Sequence, residues 1–213
     1  MNTYPFAKKK LPYPCDGLAP QFDPDTVYLH YEGIYAYDVD MLNYLLEQNP
    51  RLQRMTLEQL TQERLNQVPA ATANKIRHYA GSVYNHEFFF EALDRAARCN
   101  GCGGELARAI ADTYGSADAF RDLFFQAAGE VLGSGWLWLV TEGEGRPHIV
   151  ITRDNGVPDL SAVTPVLVAD LWEHAYFLRF GPQVEQYMEN WFQAVNWEIP
   201  QQRYRRRGQG QKI

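Results

Sequence analysis

Apolar residues recur at three- and four-residue spacing through the first half of the chain, a pattern that predicts α-helices. The first helix is predicted from Thr26 to about Glu47, behind the start signal Asp23-Pro24-Asp25, and Asn49-Pro50 ends it. A short helix is predicted from Leu57 to Gln67, and a long one from about Ala71 to Ala97. Two long helices joined by a modest connection indicate a helical hairpin.

The composition of the chain changes at a segment rich in glycine and cysteine, residues 99–104, where the second half begins. Its periodicities predict helices near Glu105–Thr113, Ala117–Val131 and Gln183–Val195, and strands near Trp136–Val140, His148–Thr152 and Val163–Val168. We therefore predict an α+β fold. An N-terminal long α-helical hairpin, residues 1–98, would precede a C-terminal domain, residues 99–213, with a three-stranded antiparallel sheet and flanking helices. The first ten residues and the chain from Arg203 onward are predicted to be tails.

Composition narrows the class of protein. Hydrophobic residues make up 46% of the chain and charged residues 22%, as in ordinary globular proteins. The formal net charge of −6 gives no reason to expect nucleic-acid binding, and no apolar run is long enough to span a membrane. The three cysteines do not suggest a disulfide framework, and the N-terminal lysines precede no apolar segment of a signal peptide. We expect a cytoplasmic protein.

The stretch D-L-W-E-H-A-Y-F, Asp170–Phe177, places two carboxylates and a histidine within an apolar part of the chain. Carboxylates are rarely buried unless something pairs with them. Asp170 and His174 are four residues apart, which puts both on one face of a helix. At a junction between a strand and a helix, the same spacing can still direct both side chains to one point. A carboxylate and an imidazole together form half of a metal site.

Two further histidines lie in apolar parts of the two long predicted helices. His30 is near the start of the first helix, and His86 is inside the second. Antiparallel helices could bring them together, and three imidazoles with one carboxylate suit iron or manganese better than structural zinc. A buried histidine is also commonly a hydrogen-bonded core residue, so spacing alone leaves that alternative open.

Several separated segments, in order along nearly the whole chain, resemble the iron/manganese superoxide dismutase family. These segments are L-P-Y at Leu11, L-A-P-Q-F-D-P-D-T-V-Y-L-H at Leu18–His30, A-G-S-V-Y-N-H at Ala80–His86, G-S-G-W-L-W-L-V at Gly133–Val140, D-L-W-E-H-A-Y-F at Asp170–Phe177 and V-N-W at Val195–Trp197. The resemblance implies the family fold, and it implies that superoxide is converted to oxygen and hydrogen peroxide at one iron or manganese ion per subunit.

Carried over by position, the resemblance implies that the metal ligands are His30, His86, Asp170 and His174. It also implies a homodimer, in which Glu173 would contact a ligand histidine of the partner subunit and orient it. Whether two dimers pair into a tetramer stays open.

The resemblance further implies an aromatic wall around the metal. Trp136, Trp172 and Tyr176 fall on wall positions, and Trp138 is expected in the same shell. A dry, aromatic wall strengthens the electrostatic interactions inside it.

The outer positions depart from the family pattern. Four residues after the first ligand, where the family usually has a histidine, this chain has Ile34. Eight residues after it, where the family usually has a gateway tyrosine, this chain has Asp38. Tyr37 could supply a hydroxyl instead after a small rotation of the helix. The family glutamine that bonds the metal-bound water is also missing, and its two alternative positions correspond to Ser82 and Asn155. Tyr37, Asp38, Ser82 and Asn155 are therefore the candidate gateway and outer-sphere residues.

Asp38 can be interpreted in two ways. It could reach the metal, directly or through water, or it could turn toward solvent or a neighbouring arginine. If it is buried, its pKa should rise.

These departures leave a second function open, a metal-binding relative with lost or altered activity that stores metal, senses it or carries out other oxidant chemistry. The pair Cys99 and Cys102 could bind a metal between subunits or form a disulfide, or the two could be loop thiols.

Overall fold

The computed structural model describes residues 2–94 and 104–207. The first predicted helix is a continuous run made of α1 (Pro24–Tyr28), a π-helical segment (Leu29–Tyr35) and α2 (Ala36–Glu47). The Asp23 carboxylate caps its start by accepting hydrogen bonds from the backbone N–H groups of Asp25 and Thr26. The predicted end is confirmed, because Pro50 begins a 3₁₀ turn, Pro50–Leu52.

The two following helices are α3 (Leu57–Gln62) and α4 (Ala70–Glu91), and both are shorter than predicted. The Gln62 amide bonds the backbone of a distant loop, donating to the Pro158 carbonyl at 3.2 Å and accepting from Leu160 N–H at 3.2 Å. After α4 the chain turns away, and Asp94 N–H donates to the Ala194 carbonyl at 2.9 Å. Long-range backbone pairing thus replaces the last predicted turn, and residues 95–97 lie outside the described residues.

Helix α4 connects the two halves of the molecule. It packs against α2 and α3, which forms the predicted hairpin, and it also packs against β3. The apolar residues between α2, α3 and α4 are fully buried, among them Leu42, Leu46, Leu60, Ile76 and Val83. Because these positions recur on one face of each helix, burying them fixes how the hairpin closes.

The C-terminal half begins with α5 (Gly104–Tyr114) and α6 (Ala117–Gly129) and continues into a sheet of β1 (Gly135–Glu142), β2 (Arg146–Arg153) and β3 (Thr164–Asp170). Its order is β2-β1-β3, with both pairs antiparallel. Trp136 lies opposite Asp170 at the end of the β1–β3 pair. The α+β fold with a helical hairpin and a three-stranded antiparallel sheet is therefore confirmed.

The chain then forms a 3₁₀ turn (Glu173–Ala175), α7 (Phe177–Phe180), α8 (Val184–Ala194) and α9 (Glu198–Arg205). Helix α9 covers part of the predicted C-terminal tail, so that prediction was wrong there. Tyr204 is buried and its hydroxyl donates to the Gly145 carbonyl at 3.0 Å.

The N-terminal tail prediction was also wrong. Phe6 is buried, and its backbone N–H donates to Asn43 Oδ1 at 2.8 Å. The lysines that follow form ion pairs with acidic side chains of the hairpin, Lys8 with Glu32 and Lys9 with Glu87. The sequence signal failed because a segment without periodicity can still dock through a few specific contacts.

Two expectations fall on residues that the structure does not describe. The predicted domain boundary between residues 98 and 99 lies there and stays a prediction, and so do Cys99 and Cys102. Within 2–94 and 104–207, no helix has both the length and the apolar character needed to cross a bilayer.

Candidate metal centre

Four side chains from four different segments meet between the hairpin and the sheet. His30 comes from the π-helical segment, His86 from α4, Asp170 from the end of β3, and His174 from the 3₁₀ turn that follows. The stretch 170–174 is thus a junction between a strand and a turn, which was one of the two geometries that the sequence allowed. One potential ligand atom from each residue lies within 4.8 Å of every other.

The three imidazoles converge on one carboxylate oxygen. The Nε2 atoms of His30, His86 and His174 lie 3.0, 3.8 and 3.2 Å from Asp170 Oδ2. The other oxygen, Asp170 Oδ1, accepts a hydrogen bond from Trp172 N–H at 2.9 Å. This bond holds the carboxylate so that Oδ2 faces the imidazoles.

The donor atoms fit a metal ion. His30 Nε2 and His86 Nε2 are buried and form no hydrogen bond within the described part of the chain, although buried polar atoms normally have a partner. His86 Nδ1 lies 2.8 Å from the carbonyl oxygen of Ser82, which can only accept, so Nδ1 carries the proton. The lone pair of His86 is therefore on Nε2, the atom that faces Asp170.

Burial sets the charge of these groups. It lowers the pKa of His30 below its ordinary value of 6.5, and burial together with neighbouring His30 lowers the pKa of His86 much further. Burial alone would raise the pKa of Asp170, but its close contacts with His174 and His30 outweigh burial and hold that pKa below its usual range. Neutral imidazoles at His30 and His86, beside an ionised carboxylate at Asp170, are in the protonation state that binds a metal.

Aromatic rings enclose the cluster. Trp136 meets the His86 ring edge to face at 5.1 Å between centroids, and Trp172 stacks on the His174 ring at 5.7 Å. Phe90 lies 4.8 Å from the His30 ring. These contacts place Trp136 and Trp172 beside the cluster, and they keep water from most of it.

Three other residues expected around the metal are Tyr176, Trp138 and Glu173, and each has different neighbours. Tyr176 is buried and stacks on Tyr187 at 5.2 Å between ring centroids. Trp138 is buried, but its ring packs on Phe88 at 5.6 Å, a contact away from the four candidate ligands. Glu173 is exposed on the single chain, beside His174.

Asp38 is buried, with 7% of its surface exposed, so it does not turn to solvent. Its Oδ2 accepts a hydrogen bond from the Ser82 hydroxyl, and it does not belong to the group of four converging side chains. Burial raises the pKa of Asp38 as expected, while the Ser82 hydrogen bond and the charges of His78 and His174 act in the opposite direction. The residue thus does not take the solvent-facing position, and a contact with the metal through water stays a prediction.

The other two outer-sphere candidates differ in their distance from the cluster. Tyr37 is 55% exposed, and its ring lies beside Tyr79 at 6.4 Å. Asn155 Oδ1 accepts a hydrogen bond from Trp136 Nε1 at 3.3 Å, so Asn155 bonds the aromatic wall directly.

Sequence reasoning missed Gly81. A Cβ atom at this position would lie 2.0 Å from the backbone oxygen of Asn155, so only glycine lets the loop after β2 approach α4 so closely. Asn85, one turn further along α4, donates to the Gly156 carbonyl at 3.2 Å and holds the same loop. A lone glycine inside a long helical pattern was the available signal.

Fold and donor set together define a metal-binding protein with an α-hairpin and an α+β domain. Two family models match it, the alpha-hairpin domain of iron/manganese superoxide dismutases over residues 5–94 and the C-terminal domain of the same enzymes over residues 102–203.

Similar proteins carry the same family name. Superoxide dismutase [Mn] 1 of Leptolyngbya boryana is 37% identical over 207 residues, covering 96% of this chain and 82% of that protein. Superoxide dismutase [Mn] of Listeria innocua serovar 6a is 36% identical over 198 residues, covering 92% and 95%. The chain belongs to the iron/manganese superoxide dismutase family. It is a superoxide dismutase, an oxidoreductase that uses a metal ion.

Proposed function

We propose that this superoxide dismutase binds one manganese ion per subunit through His30, His86, Asp170 and His174. The observation that carries the proposal is the convergence of three imidazole Nε2 atoms on Asp170 Oδ2, two of them buried without a hydrogen bond. Three nitrogens and one oxygen suit a redox-active first-row metal. The [Mn] in the names of the relatives favours manganese over iron.

A bound metal would supply a one-electron couple, through which one superoxide would lose an electron and leave as oxygen, and a second would gain that electron and two protons and leave as hydrogen peroxide. The protein holds the ligand side chains in position and keeps water away from most of the site. The Ser82 carbonyl fixes the tautomer of His86, and the Trp172 N–H fixes Asp170. His174, with 16% of its side chain exposed, is the most accessible of the four and marks the open side of the site.

Superoxide decay after pulse radiolysis tests the proposal on protein loaded separately with manganese and with iron. We expect fast decay with manganese, at one ion per chain, and only the spontaneous decay seen in buffer for the metal-free protein. Full loading with no decay above free-metal controls would contradict dismutation by the bound manganese and support the alternative of storage, sensing or other oxidant chemistry. Fast decay with iron alone would contradict the choice of manganese.

We also propose that two copies of the chain pair through the face that carries Glu173. Large apolar side chains are exposed on the neighbouring elements α1, the π-helical segment and α7, namely Tyr28, Leu29, Phe177 and Leu178. Both α1 and the π-helical segment contact the 3₁₀ turn that contains Glu173. Clustered apolar exposure of this kind typically marks an interface between proteins. Pairing here would bury it and place Glu173 next to the other subunit.

Leu178→Glu tests the dimer. Its side chain is 63% exposed, so the substitution should not disturb the fold, but a carboxylate in an apolar interface is costly. We expect sedimentation velocity to show dimers for the parent protein and mainly monomers for the variant. Leu132→Glu, at an exposed position outside this face, is the control and should stay dimeric. Dissociation by Leu132→Glu and not by Leu178→Glu would place the interface elsewhere.

We propose the cytoplasm as its compartment. The three cysteines, an odd number, support this, because proteins of oxidising compartments typically pair their cysteines in disulfides. Separation of cell fractions with an antibody against the chain would test it.

A further inference from the structure

A buried serine links the acid on α2 to a candidate metal ligand on α4. Ser82 lies one helical turn before His86, so both side chains are on the same face of α4. The Ser82 hydroxyl donates a hydrogen bond to Asp38 Oδ2. The same hydroxyl oxygen lies 3.1 Å from His86 Nδ1. Asp38, Ser82 and His86 are therefore consecutive members of one chain of contacts.

The directions of these hydrogen bonds follow from the chemistry of the atoms. The Ser82 carbonyl, 2.8 Å from His86 Nδ1, cannot donate, so the proton is on Nδ1. The Ser82 hydroxyl has one hydrogen, and that hydrogen goes to Asp38. Its oxygen can then only accept from His86, so the Nδ1–H is shared between the carbonyl and the hydroxyl of Ser82. All donors point from His86 toward Asp38.

The environment strengthens this arrangement. Asp38, Ser82 and His86 are all buried, and water therefore competes little for their hydrogen bonds. In such chains each bond polarises the next, and an acceptor on Nδ1–H raises the basicity of the opposite ring nitrogen. For His86 that nitrogen is Nε2, the atom that faces Asp170.

We propose that Asp38, acting through Ser82, is a positioning residue for His86: it fixes the Ser82 hydroxyl as an acceptor and makes His86 Nε2 a stronger metal donor. The proposal rests on the ligand set given above under the proposed function. Because a stronger donor favours the higher oxidation state, the Asp38–Ser82 pair lowers the midpoint potential of the bound metal. Asp38, on α2, thus adjusts the potential of the metal from a distance, through the Ser82 hydroxyl.

Two substitutions break the chain at different points. Ser82→Ala removes the hydroxyl that links the two residues, and Asp38→Asn removes the carboxylate while keeping a side chain of the same shape. We expect each to raise the midpoint potential of the manganese-loaded protein and to weaken metal binding about 10- to 100-fold. The double variant should change both quantities no more than Ser82→Ala alone, because the carboxylate acts only through the hydroxyl. Asp40→Asn, an exposed acid on the same helix, is the matched control and should change neither.

The NMR signal of the His86 Nδ1 proton in the metal-free protein provides a readout that needs no metal. We expect a shift of this signal in Ser82→Ala and in Asp38→Asn, and none in Asp40→Asn. An unchanged signal in folded Ser82→Ala would overturn the hydrogen-bond chain. A shifted signal with unchanged potential and affinity would overturn its effect on the metal. If the changes in potential and affinity caused by Ser82→Ala and Asp38→Asn add up in the double variant, Asp38 does not act through Ser82. Failure of the proposed function is distinct, because the parent protein itself would then bind no metal at these four residues.

Discussion

Asp170→Asn is expected to abolish metal binding and superoxide dismutase activity while the chain still folds. Asparagine has nearly the same shape, and its side-chain oxygen can still accept the hydrogen bond from Trp172 N–H. The substitution removes the anionic oxygen on which the imidazoles of His30, His86 and His174 converge. Substitutions behind a ligand typically cost 10- to 100-fold in metal affinity, so loss of a ligand oxygen itself should cost more.

Metal content and thermal unfolding measure this loss. A metal at 100 times its Kd stabilises a protein by about 2.7 kcal/mol. For a chain of this size that corresponds to a rise in Tm of roughly 5–10 °C. The parent protein should show this rise on adding manganese, and Asp170→Asn should not. Asp112→Asn, an exposed acid on α5, is the control and should behave as the parent. One bound ion per chain in Asp170→Asn would contradict the proposed ligand set.

Gly81→Ala is expected to destabilise the protein, against the usual preference of helices for alanine. In an open helix this change gains up to about 1 kcal/mol. Here the added Cβ would lie 2.0 Å from the backbone oxygen of Asn155, and backbone atoms cannot rotate away. Forcing such a contact costs about 1–3 kcal/mol or more. The loop that carries Asn155 must move, and with it the hydrogen bond that holds Trp136 beside His86.

Urea unfolding of the metal-free protein gives the change in the free energy of unfolding. Gly129→Ala is the matched control, because it also lies in a helix but its Cβ would meet nothing within 4 Å. We expect Gly129→Ala to be neutral or slightly stabilising, and Gly81→Ala to lose about 1–3 kcal/mol together with part of its activity. Equal stability of the two variants would show that the loop does not need its close approach to α4.

The sequence predicted the elements that have strong local signals. The start of the first helix at Asp23-Pro24, its end before Pro50 and the three strands were all found, because capping, proline geometry and alternation act between near neighbours. It also pointed to His30, His86, Asp170 and His174, since histidines and a carboxylate in apolar surroundings are rare enough to stand out.

Contacts between distant segments could not be predicted in the same way. Trp138 was expected near the site, but its ring packs on Phe88, because the twist and packing of a sheet decide which neighbour a strand residue meets. The docked N-terminus around Phe6 and the helix α9 carry no strong periodic signal, and each is held by a few hydrogen bonds to remote residues.

By itself, the sequence determined which side chains were available for chemistry and on which local elements they lie. Only the tertiary structure decided that Oδ2 of Asp170 faces three imidazoles, that Asp38 bonds Ser82 and that Gly81 admits the loop of Asn155. The physical reason is the separation along the chain of the residues that interact. Helix and strand patterns depend on residues a few positions apart, whereas a metal centre depends on sub-ångström placement of segments separated by up to 144 residues, from His30 to His174.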